Sequence, residues 1–243
     1  MSGTALSVNL NKIALIRNSR PGNYPDVVQH GLVCLQAGAH GLTVHPRPDQ
    51  RHIRPGDVHG LAELLQDYPR AEYNIEGNPF AESIGDFPGF MTLVKAVKPH
   101  QCTLVPDSND QLTSDHGFDL RLSADRLKPV IRELKDLGVR ISLFMDPEPE
   151  QIRRAAGLGV ERIELYTGPW AEAFKNTAAD LDELFERYRA AAQLAGECAW
   201  PLMPDKTSTW RTCPAFSASY RLPKSPLATH SPSTLWPWAF PGQ

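Results

Sequence analysis

The sequence lacks the features that mark a membrane or secreted protein. No apolar run in its 243 residues approaches the roughly 20 residues that a membrane-spanning helix needs. The N-terminus shows no basic segment followed by an apolar core, so we expect no signal peptide. These absences predict a cytoplasmic protein that has no membrane partner.

The chain has few cysteines, and their spacing is not that of a set of metal ligands. The four cysteines, Cys34, Cys102, Cys198 and Cys213, form no CxxC motif and pair with no histidine. The usual zinc patterns are thereby excluded, and we expect buried or incidental thiols and no metal. Basic charge is not in excess either, because the formal net charge is −3. No nucleic-acid partner is therefore expected, and any local basic cluster needs a local explanation.

The sequence does contain a regular alternation of short apolar strands and amphipathic helices. The predicted strands are 6–10, 41–45, 71–77, 101–106, 140–145 and 162–166. The predicted helices are 25–37, 55–67, 79–97 with an interruption at 86–89, 124–137, 150–158 and 171–194. Six such units, with short apolar strands, are typical of a parallel sheet covered by helices.

The number of units sets the predicted fold class. A TIM (β/α)8 barrel, an α/β fold, needs eight units in roughly 250 residues, but the repetition stops after residue 197. Residues 198–243 are rich in proline, serine and tryptophan and keep neither a strand nor a helix period. We therefore predict a barrel with its first six units in 1–197, and a disordered or poorly packed tail in 198–243 in place of strands seven and eight.

Segment 41–52 carries the most distinctive chemistry. Its short strand ends at His45 and runs into a loop that contains Arg47, Arg51 and His52. Ligands bind at the carboxyl ends of parallel strands, so this cluster predicts a site for an anionic substrate. A single histidine there would have favoured an ordinary surface loop. The next strand ends at Glu76, and its side chain is expected to converge with that of His45.

Four groups of residues together resemble the pyridoxine 5′-phosphate synthase family. They lie at 8–20, 45–52, 74–79 and 164–168, and the resemblance runs from about residue 6 to residue 197. It implies a TIM barrel, a homo-oligomer when the barrel is complete, and no metal or organic cofactor. The implied transferase-type reaction condenses 1-deoxy-D-xylulose 5-phosphate with 3-amino-1-hydroxyacetone phosphate to pyridoxine 5′-phosphate. Two small phosphorylated substrates are therefore the expected partners.

The resemblance also implies roles for individual residues. His45 and Glu76 take the positions of general bases, a role that suits an imidazole and a pocketed carboxylate. Arg47 and His52 take positions that hold one substrate phosphate. The other substrate-binding positions implied are Asn9, Asn11, Lys12, Arg20 and Thr113. Glu164 is either a supporting acid or a member of a structural ion pair.

The tail departs from the family pattern in an informative way. The family's strands seven and eight end in Asn-Ala-Gly-His and Ser/Asn-Ile-Gly-His type motifs, and neither occurs here. In a shifted reading frame, however, the codons for 199–206 permit Asn-Ala-Gly-Gln and those for 224–230 permit Ser-Ile-Gly-His. We infer an insertion or deletion near the codons for Glu197 and Cys198. The chain as written then lacks the family's general acid and part of a phosphate site, which predicts impaired activity.

Two other functions stay open from the sequence. A different phospho-sugar barrel enzyme, such as an aldolase or an epimerase, predicts a Schiff-base lysine or metal ligands at the strand ends, and neither stands out. Alternatively, the chain is a non-catalytic subunit that only associates with intact subunits through its helices.

Overall fold

A computed structural model of the chain describes residues 5–176, 180–198 and 202–204. The strands are β1 Ser7–Asn9, β2 Gly41–Val44, β3 Glu72–Gly77, β4 Gln101–Leu104, β5 Arg140–Met145, β6 Arg162–Leu165 and β7 Leu202–Pro204. The helices are α1 Asn11–Asn18, α2 Val27–Gln36, α3 Pro55–Gln66, α4 Phe90–Val97, α5 Leu120–Asp136, α6 Pro149–Gly157, α7 Gly168–Asn176 and α8 Leu181–Glu197. Within these residues no helix is long and apolar enough to cross a membrane.

The strands form one sheet in chain order, from β1 to β7, and every pair is parallel. The alternation of side chains along each strand separates two environments. Apolar residues such as Leu42, Ile75 and Leu143 are buried in one continuous core with the apolar faces of the helices. This arrangement of helices over a parallel sheet confirms the predicted α/β barrel class, and among the described residues the sheet ends at β7.

The other face of the sheet is polar, and its side chains bond to one another across the strands. Asn74 is central: its amide donates to the Thr43 hydroxyl at 3.4 Å and accepts from the Thr103 hydroxyl at 3.2 Å and from Gln101 at 3.3 Å. All four side chains are buried. Because buried polar groups are costly unless bonded, this network explains how threonines and amides fill the inside of a barrel wall.

A second network joins the first residues of four neighbouring strands. The Gln101 carbonyl oxygen Oε1 accepts from Arg140 Nε and from Arg162 Nη1, both at 2.9 Å. Arg140 also pairs with Glu72, donating from Nη1 to Oε1 at 3.1 Å. These contacts close the amino-terminal end of the sheet, opposite the end where His45 and Glu76 lie.

The six predicted units are present, but two helices differ from the prediction. Residues 11–18, for which the sequence predicted no helix, form α1. No helix begins at Pro79: residues 79–89 make turns and the Ile84–Phe87 bridge, and α4 begins only at Phe90. Gly89, with φ of +95°, precedes it, a backbone conformation that a helix interior excludes.

The C-terminal part also differs in detail. The single helix predicted over 171–194 is two helices, α7 and α8. The sheet extends one strand further than predicted, because the backbone of Leu202–Pro204 pairs in parallel with Ile163–Leu165 of β6. Residues 205–243, and with them most of the predicted tail, lie outside the described residues.

Candidate functional site

The predicted pair of general bases meets at the carboxyl ends of β2 and β3. Val44 pairs in register with Ile75, which places the next residues of both strands, His45 and Glu76, side by side. The His45 Nδ1 atom lies 3.8 Å from Glu76 Oε2. Both residues are at most 5% exposed. An imidazole and a carboxylate so placed can pass a proton to and from a small molecule above the strand ends.

Two asparagines, Asn9 at the end of β1 and Asn11 at the start of α1, hold this pair in place. Asn9 Nδ2 donates to Glu76 Oε2 at 3.4 Å, and Asn9 Oδ1 accepts from the backbone N–H of Asn11 at 2.9 Å. The Asn11 side chain accepts from the backbone N–H of His45 at 2.9 Å. The structure therefore brings both predicted residues to the site, and Asn11 supports the backbone of His45.

Asp107 is a buried residue of the site that sequence reasoning missed. It follows β4 and is 5% exposed. Its Oδ2 atom lies 3.7 Å from His45 Nε2, pairs with the Arg47 guanidinium and accepts from the Ser114 hydroxyl at 2.8 Å. Its position at the end of a predicted strand was the available signal, because His45 also lies at the end of one.

Arg47 is the buried cation of the site. Burial lowers its pKa, while the nearby Asp107 carboxylate acts in the opposite direction. Its Nη1 atom also donates to the carbonyl of Gln111 at 3.2 Å. The guanidinium of Arg51 donates to the same carbonyl at 2.8 Å, so the two arginines tie the loop after β2 to the loop after β4.

His52 lies beside His45, with ring centroids 6.1 Å apart in an edge-to-face arrangement. Its carbonyl accepts from Arg17 Nη2 at 2.9 Å and from Asn18 Nδ2 at 2.8 Å. Arg17 is 1% exposed and pairs with Asp57 at 2.5 Å. Helix α1 thus anchors the loop that carries the two histidines.

A narrow cleft opens over these residues. Its lining includes His45, Arg47, Arg51, Asn78, Asp107 and Ser108. The lining combines acid/base groups with cations, a combination that can place a small anion close to a proton-transfer pair. Within the described part of the chain, no group of three or more His, Cys, Asp or Glu side chains is arranged to hold a metal ion.

The remaining predicted residues are not part of this cluster. Lys12 on α1, Arg20 just after α1 and Thr113 in the loop after β4 are all exposed to solvent. Glu164 on β6 is buried, and it pairs in register with Phe144 of β5. It lies on the polar face of the sheet, next to the backbone of β7.

Curated relatives match most of this chain. It is 54% identical over 194 residues to pyridoxine 5′-phosphate synthase from Xanthomonas axonopodis pv. citri, covering 79% of this chain and 76% of the relative. It is 57% identical over 170 residues to the enzyme of that name from Xanthomonas campestris pv. campestris strain B100, covering 70% of this chain and 66% of the relative.

A solved structure supports the fold. A D-psicose 3-epimerase crystallised in the presence of D-fructose matches with a TM-score of 0.52 and 9% identity, over 90% of this chain and 81% of that one. At so low an identity the likeness concerns the fold alone.

The family model described as pyridoxal phosphate biosynthesis protein PdxJ matches residues 6–201. This match and the identity to curated relatives show that the chain belongs to the pyridoxal phosphate biosynthesis protein PdxJ family.

Proposed function

We propose that this chain holds the substrates and proton-transfer groups of a pyridoxine 5′-phosphate synthase, and that its activity as written is impaired. The observation that carries the proposal is the buried pair of His45 and Glu76 beneath a cleft that contains Arg47. The chain's family is one of pyridoxal phosphate biosynthesis, and its relatives carry the name of that enzyme.

The reaction needs repeated proton transfers between imine and enol intermediates. His45 suits this task because an imidazole gains and loses protons near neutral pH. Glu76 is buried beside it, and Asn9 donates a hydrogen bond to its carboxylate. In this proposal the two groups act as general bases on substrate atoms held in the cleft.

Phosphate binding gives the cations their role. The planar guanidinium of Arg47 fits two phosphate oxygens, and His52 adds a second donor beside it. Asn9 and Asn11 line the same end of the sheet and are proposed to face the amino-ketone substrate. The contributions of Lys12, Arg20, Thr113 and Glu164 rest on the family resemblance.

The proposed impairment concerns residues 198–243. The family match ends at residue 201, and this chain covers 76% of the Xanthomonas axonopodis relative. A shift of reading frame near Glu197 accounts for both facts. The chain would then lack the general acid that the family places after strand seven, and a proton donor of this kind is worth about 10²–10⁴-fold in rate.

Two experiments test this proposal. Resequencing the DNA across the codons for 195–201 decides whether the frame change is present in the gene. The purified chain, and a version with the frame restored and the Gln of Asn-Ala-Gly-Gln changed to His, are then given both substrates, and pyridoxine 5′-phosphate is measured. We expect turnover at least about 100-fold lower for the chain as written. Equal turnover would refute the impairment, and no product from either version would refute the proposed activity.

We also propose a cytoplasmic location, and a homo-oligomer without nucleic-acid or membrane partners. The net charge of −3 supports the absence of a nucleic-acid partner. The likeness to an epimerase concerns fold alone, so it does not favour the aldolase or epimerase alternative. A non-catalytic subunit would be recognised as a soluble complex with intact subunits that adds no turnover.

A further inference from the structure

We propose that Asp107 is a positioning residue that holds His45 and Arg47 and competes with the substrate phosphate for the Arg47 guanidinium. The inference rests on the proposed function, in which Arg47 binds phosphate. It assigns a role to a carboxylate that the sequence motifs did not single out.

The contacts of Asp107 support this role. One carboxylate oxygen, Oδ2, meets His45 Nε2, the Arg47 guanidinium and the Ser114 hydroxyl. The other oxygen, Oδ1, is buried and makes no hydrogen bond. Asp107 also lines the cleft. Buried charged groups are normally paired and make all their hydrogen bonds. A buried carboxylate at a ligand cleft, with one oxygen that makes no hydrogen bond, therefore indicates a site arranged for a bound ligand.

Arg47 has both terminal nitrogens engaged in this state. Nη2 pairs with Asp107, and Nη1 donates to the Gln111 carbonyl. Carboxylates and phosphates use the same planar donor pair of an arginine. A guanidinium carries five N–H groups, so a phosphate that takes the Nη2 hydrogen directed at Asp107 displaces that carboxylate, whereas Nη1 can keep its bond to Gln111. Asp107 keeps the guanidinium oriented and, by occupying it, lowers the affinity of Arg47 for phosphate.

The other charged groups at the site decide whether loss of the Asp107 charge strengthens or weakens phosphate binding. Glu76 and Asp107 flank His45, Arg51 and His52 lie on the same loop as Arg47, and Asp49 pairs with Arg51 at 2.5 Å. Neutralising Asp107 removes the negative charge nearest to Arg47. Two unit charges within about 5 Å interact strongly in a partly buried site, so phosphate should bind more tightly. Arg47 remains oriented by its bond to Gln111.

Asp107→Asn is the decisive variant, because its amide oxygen can still accept from Arg47 and Ser114 while the charge is lost. Calorimetry with inorganic phosphate on the full chain should show binding about tenfold tighter than for the unmodified chain. Asp107→Glu keeps the charge and should bind no more tightly. The matched control is Asp110→Asn, which removes an exposed carboxylate from the same loop and should change affinity less than twofold.

Several outcomes would overturn the inference. They are equal or weaker phosphate binding by Asp107→Asn, undetectable binding by that variant, and an equal gain in Asp110→Asn. If Asp107→Asn loses its circular dichroism spectrum, Asp107→Ser carries the same expectation, and unfolding of both neutral variants would make Asp107 a purely structural residue.

Arg47→Gln separates this inference from the proposed function. If that variant binds phosphate as well as the unmodified chain, the assignment of Arg47 to phosphate fails, and the proposed function loses its main anion site. If Arg47→Gln weakens binding while Asp107→Asn leaves it unchanged, only the competition by Asp107 is refuted.

Discussion

Two arginines three residues apart, Arg17 and Arg20, look alike in the sequence but differ in burial. Arg17 is 1% exposed, pairs with Asp57 and donates to the His52 carbonyl, whereas Arg20 is exposed. On α1, Arg17 lies one turn from the buried Ala14, so helical phase turns it inward. The family motif contains both arginines, but only the structure indicates which of them supports the histidine loop.

Replacing Arg17 should therefore be costly to stability. In Arg17→Ala the Asp57 carboxylate loses its buried partner, and removing one side of a buried ion pair costs about 3–5 kcal/mol. Urea denaturation should show this loss in the free energy of unfolding. Arg20→Ala is the matched control, and it should stay within about 0.5 kcal/mol of the unmodified chain. A loss of less than about 1 kcal/mol in Arg17→Ala would contradict the anchoring role.

The site residues were predictable to different degrees. His45 and Glu76 could be placed together because neighbouring strand ends share an edge, and the register of β2 with β3 has them side by side. Asp107 could not be selected, since its importance comes from burial and from contacts with a loop far away in sequence. Lys12 and Thr113 look like ligands by type and position, yet both are solvent-exposed.

At the scale of elements, short apolar runs that alternate with helical patterns located six strands, because a parallel sheet covered by helices buries both of its faces. Helix ends were harder to predict. Residues 11–18 form α1 although their first turn contains no acidic residue and the N-cap residue, Leu10, makes no side-chain cap. Tertiary contacts of Arg17 stabilise that helix, and helix propensity, which depends on the local sequence, does not predict such contacts.

The network at the amino-terminal strand ends should make stability depend on pH. The hydrogen bond from Arg140 is the main cause that lowers the pKa of Glu72. A carboxylate with a lowered folded-state pKa contributes stability above its unfolded pKa, and this contribution is lost as pH falls through the folded value. Glu72 is 47% exposed on its side chain, so solvent limits the effect to about 1 kcal/mol.

Glu72→Gln tests this dependence. We expect it to be less stable than the unmodified chain at pH 7, and the difference should shrink as pH falls below the ordinary glutamate pKa of about 4.3. Urea unfolding curves at several pH values measure it. Glu63→Gln, at an exposed position on α3, should show no such gap. A gap that stays constant down to the most acidic pH would rule out the charge of Glu72 as its source.

At the scale of the whole molecule, the described sheet is open. Its order runs from β1 to β7, and among the described residues β1 pairs only with β2. The Leu6 carbonyl accepts from the backbone N–H of His40, and the backbone N–H of Leu10 donates to the Thr43 carbonyl. Along a strand of a parallel sheet, the backbone N–H and C=O groups of alternate residues point to the same side. The groups of Ser7 and Asn9 therefore point away from β2, toward the open edge of the sheet.

An open edge of this kind predicts self-association. Unpaired strand edges are templates for pairing with another chain, and Ser7→Pro removes an edge N–H while leaving the ladder to β2 intact. Light scattering coupled to size exclusion should give the unmodified chain a mass above its 26.9 kDa, rising with concentration. Ser7→Ala controls for the lost hydroxyl contact with Thr43 and should associate like the unmodified chain, whereas Ser7→Pro should associate less. Equal association of both variants would place the contact elsewhere, on the helices, as the non-catalytic subunit alternative requires.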